Sequence, residues 1–311
     1  MNLRFFKPLF LSNNLYVPVV FLTARVHPGE TPASFIMQTI IEFLLSPAGK
    51  NLRKIAVFKL VPMINPDGVV SGNYRCSAQG HDLNRCYREP SACQHSEIFA
   101  IKNEISKYLV TENTINPSEY QTSSDQNFLD NHLTNNNLKA EIYVDIHGHS
   151  CLTNSFMYGN LYENDIVKSL DQHVLPNLMD KVSPDYSIRN TNYNCDEIKK
   201  GSGRRTFEAV DHLFAYTLEV SMSHYFGKFN TGAMFYDETS YSKIGECLMK
   251  SVEQYFTTVR SEMLVRRRNL VHYSIFQSCP VRLARGSTPK TQSNQFLNAL
   301  YEEKGQKIYC H

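Results

Sequence analysis

The chain has 311 residues, 42% hydrophobic and 20% charged, which excludes a disordered polymer and leaves room for one large α/β domain or two ordinary ones. A formal net charge of +2 is too small to argue for nucleic acid or a membrane surface, so electrostatic preference must come from local clusters. Eight cysteines without a C-x-x-C pair suit a reducing compartment, and no apolar run approaches the roughly 20 residues of a membrane span. Lys7 and Pro8 break the short apolar patch at the start, and no small-residue cleavage site follows, so a cytoplasmic location is expected.

In chain order, residues 15–24 read as a buried strand. Pro32–Leu45 carries Phe35, Ile36, Ile40, Phe43 and Leu44 at helical spacing. Ile55–Ile64 reads as a second strand, closed by the turn signal "NPDG" at 65–68. Val110–Lys139, rich in Asn, Ser and Thr, reads as a surface insertion. Apolar strands follow at 141–146 ("EIYVDI") and 216–221 ("YTLEVS"). Ser240–Val265 is expected to be an amphipathic helix, with Ile244, Leu248, Val252, Phe256 and Val259 on one stripe. Arg260 and Arg266–Arg268 read as its solvated basic end. Strands rich in Val and Ile between helical segments predict an α/β fold, a mixed, mainly parallel sheet sandwiched between helices. The catalytic domain is expected over 1–265, followed by a basic and polar tail, 266–311. "GSGRRT" at 201–206 lacks the Lys-Ser/Thr ending of a phosphate loop.

The segment "ARVHPGETP" sets His27 and Glu30 around a Pro-Gly turn at a strand's carboxyl end, where α/β proteins place their sites. A catalytic zinc needs three protein ligands and an open position, so a third must come from elsewhere in the sheet. "YVDIHGHS" at 143–150 offers His147 and His149, again where an apolar strand stops. Both lie on one side of an extended chain, so spacing does not choose between them. Taken singly, each residue has a plain structural account, as a turn cap or a core histidine. Two such placements after buried strands favour a metal.

"HPGETP", "VPMINPDG", "GNYRCSAQGHDLNR", "DIHGHS" and "YTLEVS", in this order, resemble the motifs of the M14 zinc carboxypeptidases. With "FMYGN" and "GSGRR", they resemble most the cytosolic carboxypeptidases, which remove glutamate from protein tails; the resemblance spans 15–260. It implies one Zn2+ ion held by His27, Glu30 and His147, with His149 a neighbour in the pocket. It makes Asp82 the acid that orients the first histidine and Glu219 the general base. Arg75 would stabilise the developing oxyanion, while Asn84 and Arg85 would grip the terminal carboxylate of the substrate. Arg204, fifteen residues before the base, falls at the floor of the side-chain pocket and would pair an acidic side chain. Lys199, Lys200 and Arg205 could add attraction for a poly-acidic tail. The implied reaction is removal of C-terminal glutamates, including polyglutamate side chains of tubulin or other acidic-tailed proteins. Two alternatives stand beside it: a zinc amidohydrolase acting on a small acyl-amino acid, and a module that binds acidic tails without cutting them. Cytosolic carboxypeptidases carry a β-sandwich domain ahead of the catalytic one. Only about 20 residues precede the first motif strand, too few for it, so the fold is expected to be N-terminally truncated and to lack the strands that usually open the sheet.

Overall fold

Strand β1 (Val17–Ala24) is buried at every position after its first, because both sheet faces are covered and a continuous apolar run is stable only there. The computed structural model describes residues 16–109, 138–210, 212–228 and 232–265. The insertion expected after Leu109 falls outside these residues up to 137, as does the tail from 266 onward.

Helix α1 (Pro32–Leu45) follows the bounds its apolar spacing predicts, with Pro32 in the first turn, where a missing N–H costs nothing. Ser46 ends it, its hydroxyl donating to the Phe43 carbonyl at 2.8 Å. Helix α2 (Lys50–Ile55) takes only Ile55, the first residue of the expected second strand. Its "KNLRK" run is polar apart from Leu52, which is buried, and strand β2 is Val57–Val61, shorter than expected at both ends. The "NPDG" turn opens a short helix, α3 (Pro66–Val70), whose Gly68 N–H donates to Asn65 Oδ1 at 3.0 Å. Helix α4 (Ser96–Ser106) then precedes β3 (Leu138–His149). Next come β4 (Ser155–Gly159), α5 (Ile166–Gln172), α6 (Val174–Val182) and β5 (Asn192–Tyr193). Helix α7 (Gly203–Thr206), β6 (Phe214–Ser221), β7 (His224–Phe226), β8 (Ala233–Phe235) and α8 (Glu238–Gln254) complete the series.

The main sheet has the order β2-β1-β3-β6-β4-β5. Its pairs are parallel except β4 with β6, which makes it mixed and mainly parallel as expected. One apolar cluster lies under α1, α6 and α8, and a second joins Phe21, Tyr87, Ile98, Tyr143 and Phe207 on the other face. Gly245 lets α8 close on α1, since a Cβ there would stand 2.7 Å from the Ile36 carbonyl oxygen.

Helix α8 starts at an Asp237–Ser240 capping box and runs through a π turn, Tyr255–Val259, into residues 260–265. The expected stripe is buried except at Val259, which is half-buried, but the expectation for Arg260 fails. Only 4% exposed, it lies in the interior, its Nε 2.8 and 2.9 Å from the two Glu141 carboxylate oxygens. Tyr255 donates to the same carboxylate at 3.0 Å. The reason lies in the spacing: 244, 248, 252 and 256 continue to 260, so Arg260 shares the buried stripe and requires the Glu141 charge there.

Candidate active site

The parallel strands β1, β3 and β6 end side by side, and each delivers a polar residue at its carboxyl edge. After β1 the chain turns at Arg25, which adopts φ +59° and is 9% exposed. Its guanidinium holds the following loop, with Nε donating to the Pro28 carbonyl at 2.8 Å and Nη1 to Ser34 Oγ at 2.6 Å. This arrangement turns His27 and Glu30 inward. His27 Nδ1 lies 2.5 Å from Glu30 Oε1, and His147 Nδ1 lies 2.9 Å from Glu30 Oε2. One donor atom from each of these three buried residues falls within 4.8 Å of the others. Burial alone would raise the Glu30 pKa, but the His147 and His27 imidazoles outweigh it and hold the carboxyl well below its usual range.

Two imidazole nitrogens and one carboxylate are a donor set that fits a single zinc ion with a position left open. The far nitrogens are engaged as such a site requires. His27 Nε2 stands 3.2 Å from Asp82 Oδ1, and His147 Nε2 stands 2.9 Å from Asp145 Oδ2. Asp82 also accepts from Arg75 Nε at 2.8 Å and from the Asn84 backbone at 3.0 Å. The geometry separates the two histidines of "HGHS". His147 faces Glu30, whereas His149 Nδ1 accepts from the backbone N–H groups of Cys151 and Leu152 at 3.1 and 2.9 Å. His149 lines the cleft beside the metal group without joining it.

Glu219 pairs directly with His147 in the parallel register of β3 and β6. Burial pushes its pKa up to about 7, with Glu30 acting in the same direction and the two imidazoles against it. A carboxyl poised there can take a proton and give it back near neutrality. Arg75, Asn84, Arg85 and Arg204 line the same cleft as Glu219 and the metal group. Asn84 is buried with its Nδ2 3.5 Å from His147 Nε2, and its Oδ1 has no partner, which leaves amide capacity unspent.

Arg204 is 1% exposed. Its guanidinium donates to the Gly159 carbonyl, to Asn160 Oδ1 at 2.9 Å, and to the Asn194 carbonyl and Oδ1 at 3.1 and 3.0 Å. All these acceptors are neutral, and burial followed by the Arg205 charge lowers the Arg204 pKa to about 10. Two glycines seat its loop. A Cβ at Gly201 would stand 2.1 Å from the Arg85 carbonyl oxygen, and one at Gly203 2.3 Å from the Tyr143 hydroxyl. Of the neighbouring cations, Lys199 lines the cleft with Nζ 4.1 Å from the Tyr158 ring centroid. Lys200 instead pairs with Glu197 at the surface, and Arg205 pairs with Glu208.

Sequence reasoning missed Asp145 and Thr23, which stand behind His147. The available signal was the strand period, since Asp145 and His147 are two apart and therefore share a face.

A sheet that gathers such a donor set at its carboxyl edge, opposite a carboxylate of raised pKa, defines the metallo-carboxypeptidase class. The family described as zinc carboxypeptidase matches residues 9–242, and the chain belongs to it. Cytosolic carboxypeptidase 6 of mouse is 39% identical over 242 residues, covering 76% of this chain and 40% of that protein. The human protein of that name is 40% identical over 242 residues, covering 76% and 43%. The Caenorhabditis elegans one is 39% identical over 249 residues, covering 76% and 49%. The chain thus spans less than half the length of these curated relatives. A metallo-carboxypeptidase from Burkholderia cenocepacia shares the fold at a TM-score of 0.60 and 20% identity, over 79% of this chain and 58% of that one.

Proposed function

We propose that the chain is the catalytic part of a metallocarboxypeptidase that removes C-terminal glutamates, including polyglutamate side chains of tubulin or other acidic-tailed proteins, in the cytosol. The observation that carries the reading is Arg204, a buried cation on the cleft lining whose hydrogen-bond acceptors are all neutral. A substrate carboxylate would supply the missing charge, and the planar guanidinium suits it. Support for the reaction type comes from family membership, and support for the cytosol from the names of the relatives. Among the described residues, no helix is long and apolar enough to cross a membrane.

A zinc ion held by His27, Glu30 and His147 would supply Lewis acidity and a lowered pKa for water. Glu219 takes the proton of the attacking water on its carboxylate and returns it to the leaving amine nitrogen. Asn84 and Arg85 hold the substrate's terminal carboxylate, which restricts cleavage to the last residue, and Arg204 holds its side-chain carboxylate. Arg75 stands at the cleft to meet negative charge developing on the carbonyl oxygen, a role worth about 2–4 kcal/mol in comparable sites.

The test is glutamate release from a peptide ending in several glutamates, by the parent and by Glu219→Gln. Release is expected from the parent and a fall of about 10²–10⁴-fold in the variant. Equal release by both removes Glu219 as the base. Binding of the peptide by the metal-loaded parent without any release identifies a tail-binding module instead.

A further inference from the structure

A buried row of hydroxyl groups runs from the second core to the metal group, and nothing in the proposed chemistry uses it. Thr23 Oγ1 lies 2.7 Å from Asp145 Oδ1 and 3.2 Å from the Tyr143 hydroxyl, which lies 3.4 Å from the Tyr87 hydroxyl. Thr23, Tyr87 and Tyr143 are 0% exposed and Asp145 is 1% exposed. Proton counting sets the direction. Thr23 has one proton, and the short contact to an acceptor-only carboxylate claims it. Tyr143 must then donate to Thr23, and Tyr87 to Tyr143. The donors point one way, toward Asp145, whose second oxygen faces His147 Nε2 at 2.9 Å. Aligned hydrogen bonds of this kind polarise one another in a low-dielectric interior.

The row is also mechanically fixed. Thr23 and Asp145 are direct partners in the parallel ladder of β1 and β3, and the Tyr143 hydroxyl is closed in by Gly203.

We propose that Asp145, held by Thr23, is the positioning residue for His147: it keeps the proton on Nε2 and turns the Nδ1 lone pair toward the ion. The proposal rests on the metal-centre reading of His27, Glu30 and His147. Asp145 answers for the second histidine as Asp82 does for the first, but from inside a strand rather than from a loop. Its own orientation is therefore set by the sheet and by Thr23.

The test is zinc affinity, measured by competition with a chromophoric chelator, together with the visible absorption spectrum of the cobalt-substituted protein. Asp145→Asn is expected to weaken zinc binding by about 10–100-fold. Thr23→Val keeps the side-chain shape, removes the hydroxyl, and is expected to weaken binding several-fold and to shift the cobalt bands. Thr23→Ser, which retains the hydroxyl, is expected to restore both. Should Asp145→Asn fail to fold, the Thr23 pair decides the matter. Parent-like affinity and cobalt spectrum in Thr23→Val overturn the proposal even though the parent binds zinc. A parent that takes up no zinc overturns the metal-centre reading, and this proposal with it.

Discussion

Glu219→Gln should inactivate the enzyme and at the same time stabilise its metal-free form, with a gain that depends on pH in a defined way. In the folded protein the Glu219 carboxyl titrates at about 7 against an ordinary value of 4.5. Below pH 4.5 it is protonated in both folded and unfolded chains and costs nothing. Between 4.5 and 7 the unfolded chain releases the proton while the folded one keeps it, so stability falls as pH rises, and above 7 the loss is complete. The shift corresponds to about 3 kcal/mol at most. Because Glu219 is partly open to the cleft, about 2 kcal/mol is the expected figure. Glutamine has the same shape and no charge, so it escapes this loss. Urea unfolding in the presence of a chelator, followed by circular dichroism, should show variant and parent about 0.8 kcal/mol apart at pH 5 and about 2 kcal/mol apart at pH 8. A variant no more stable than the parent at pH 8, or a gap of equal size at both pH values, refutes the claim that the Glu219 charge is held in the site at a cost.

Arg204→Ala should lower kcat/KM for glutamate-ending peptides by about 10²-fold or more while sparing peptides with a small apolar last residue, since it removes a desolvated charge pair. An unchanged ratio between the two peptides places the specificity determinant elsewhere. Glu141→Gln leaves Arg260 buried without its counter-charge and should cost about 3–5 kcal/mol in urea unfolding. Gly245→Val drives side-chain atoms against the Ile36 carbonyl where α8 crosses α1 and should cost about 1–3 kcal/mol in the same measurement. Dialysis against a chelator should abolish glutamate release, and one equivalent of zinc should restore it.

Four of the six sheet strands and α1 could be read from the sequence because burial on both faces demands continuous apolar runs, and the breaks between them are marked by Pro, Gly and Asn; β4 and β5 could not. His27, Glu30 and Glu219 were visible as polar residues at or near the ends of such runs. Spacing alone did not choose between His147 and His149, because residues two apart share a strand face; the motif resemblance chose His147, and it is His147 that meets the Glu30 carboxylate. Asp145 was concealed for a related reason. An aspartate within "EIYVDI" needs a partner, and Thr23 lies across the ladder, 122 positions away in the chain. Arg260 shows how residue type can mislead where position does not, since the four-residue stripe reaches it and Glu141 neutralises it. Among Lys199, Lys200, Arg204 and Arg205, only packing against Gly159, Asn160 and Asn194 decides which cation is buried.

The neighbouring placement of His147 and Glu219 on adjacent strands fixes the two side chains relative to each other through peptide hydrogen bonds, at the roughly 4.8 Å spacing between strands. On the proposed function, reactivity would be inherited from the backbone lattice and selectivity from the 194–206 segment. Exchange of that segment for one with a different cation or an apolar residue at position 204 offers a route to new preferences on an unaltered engine.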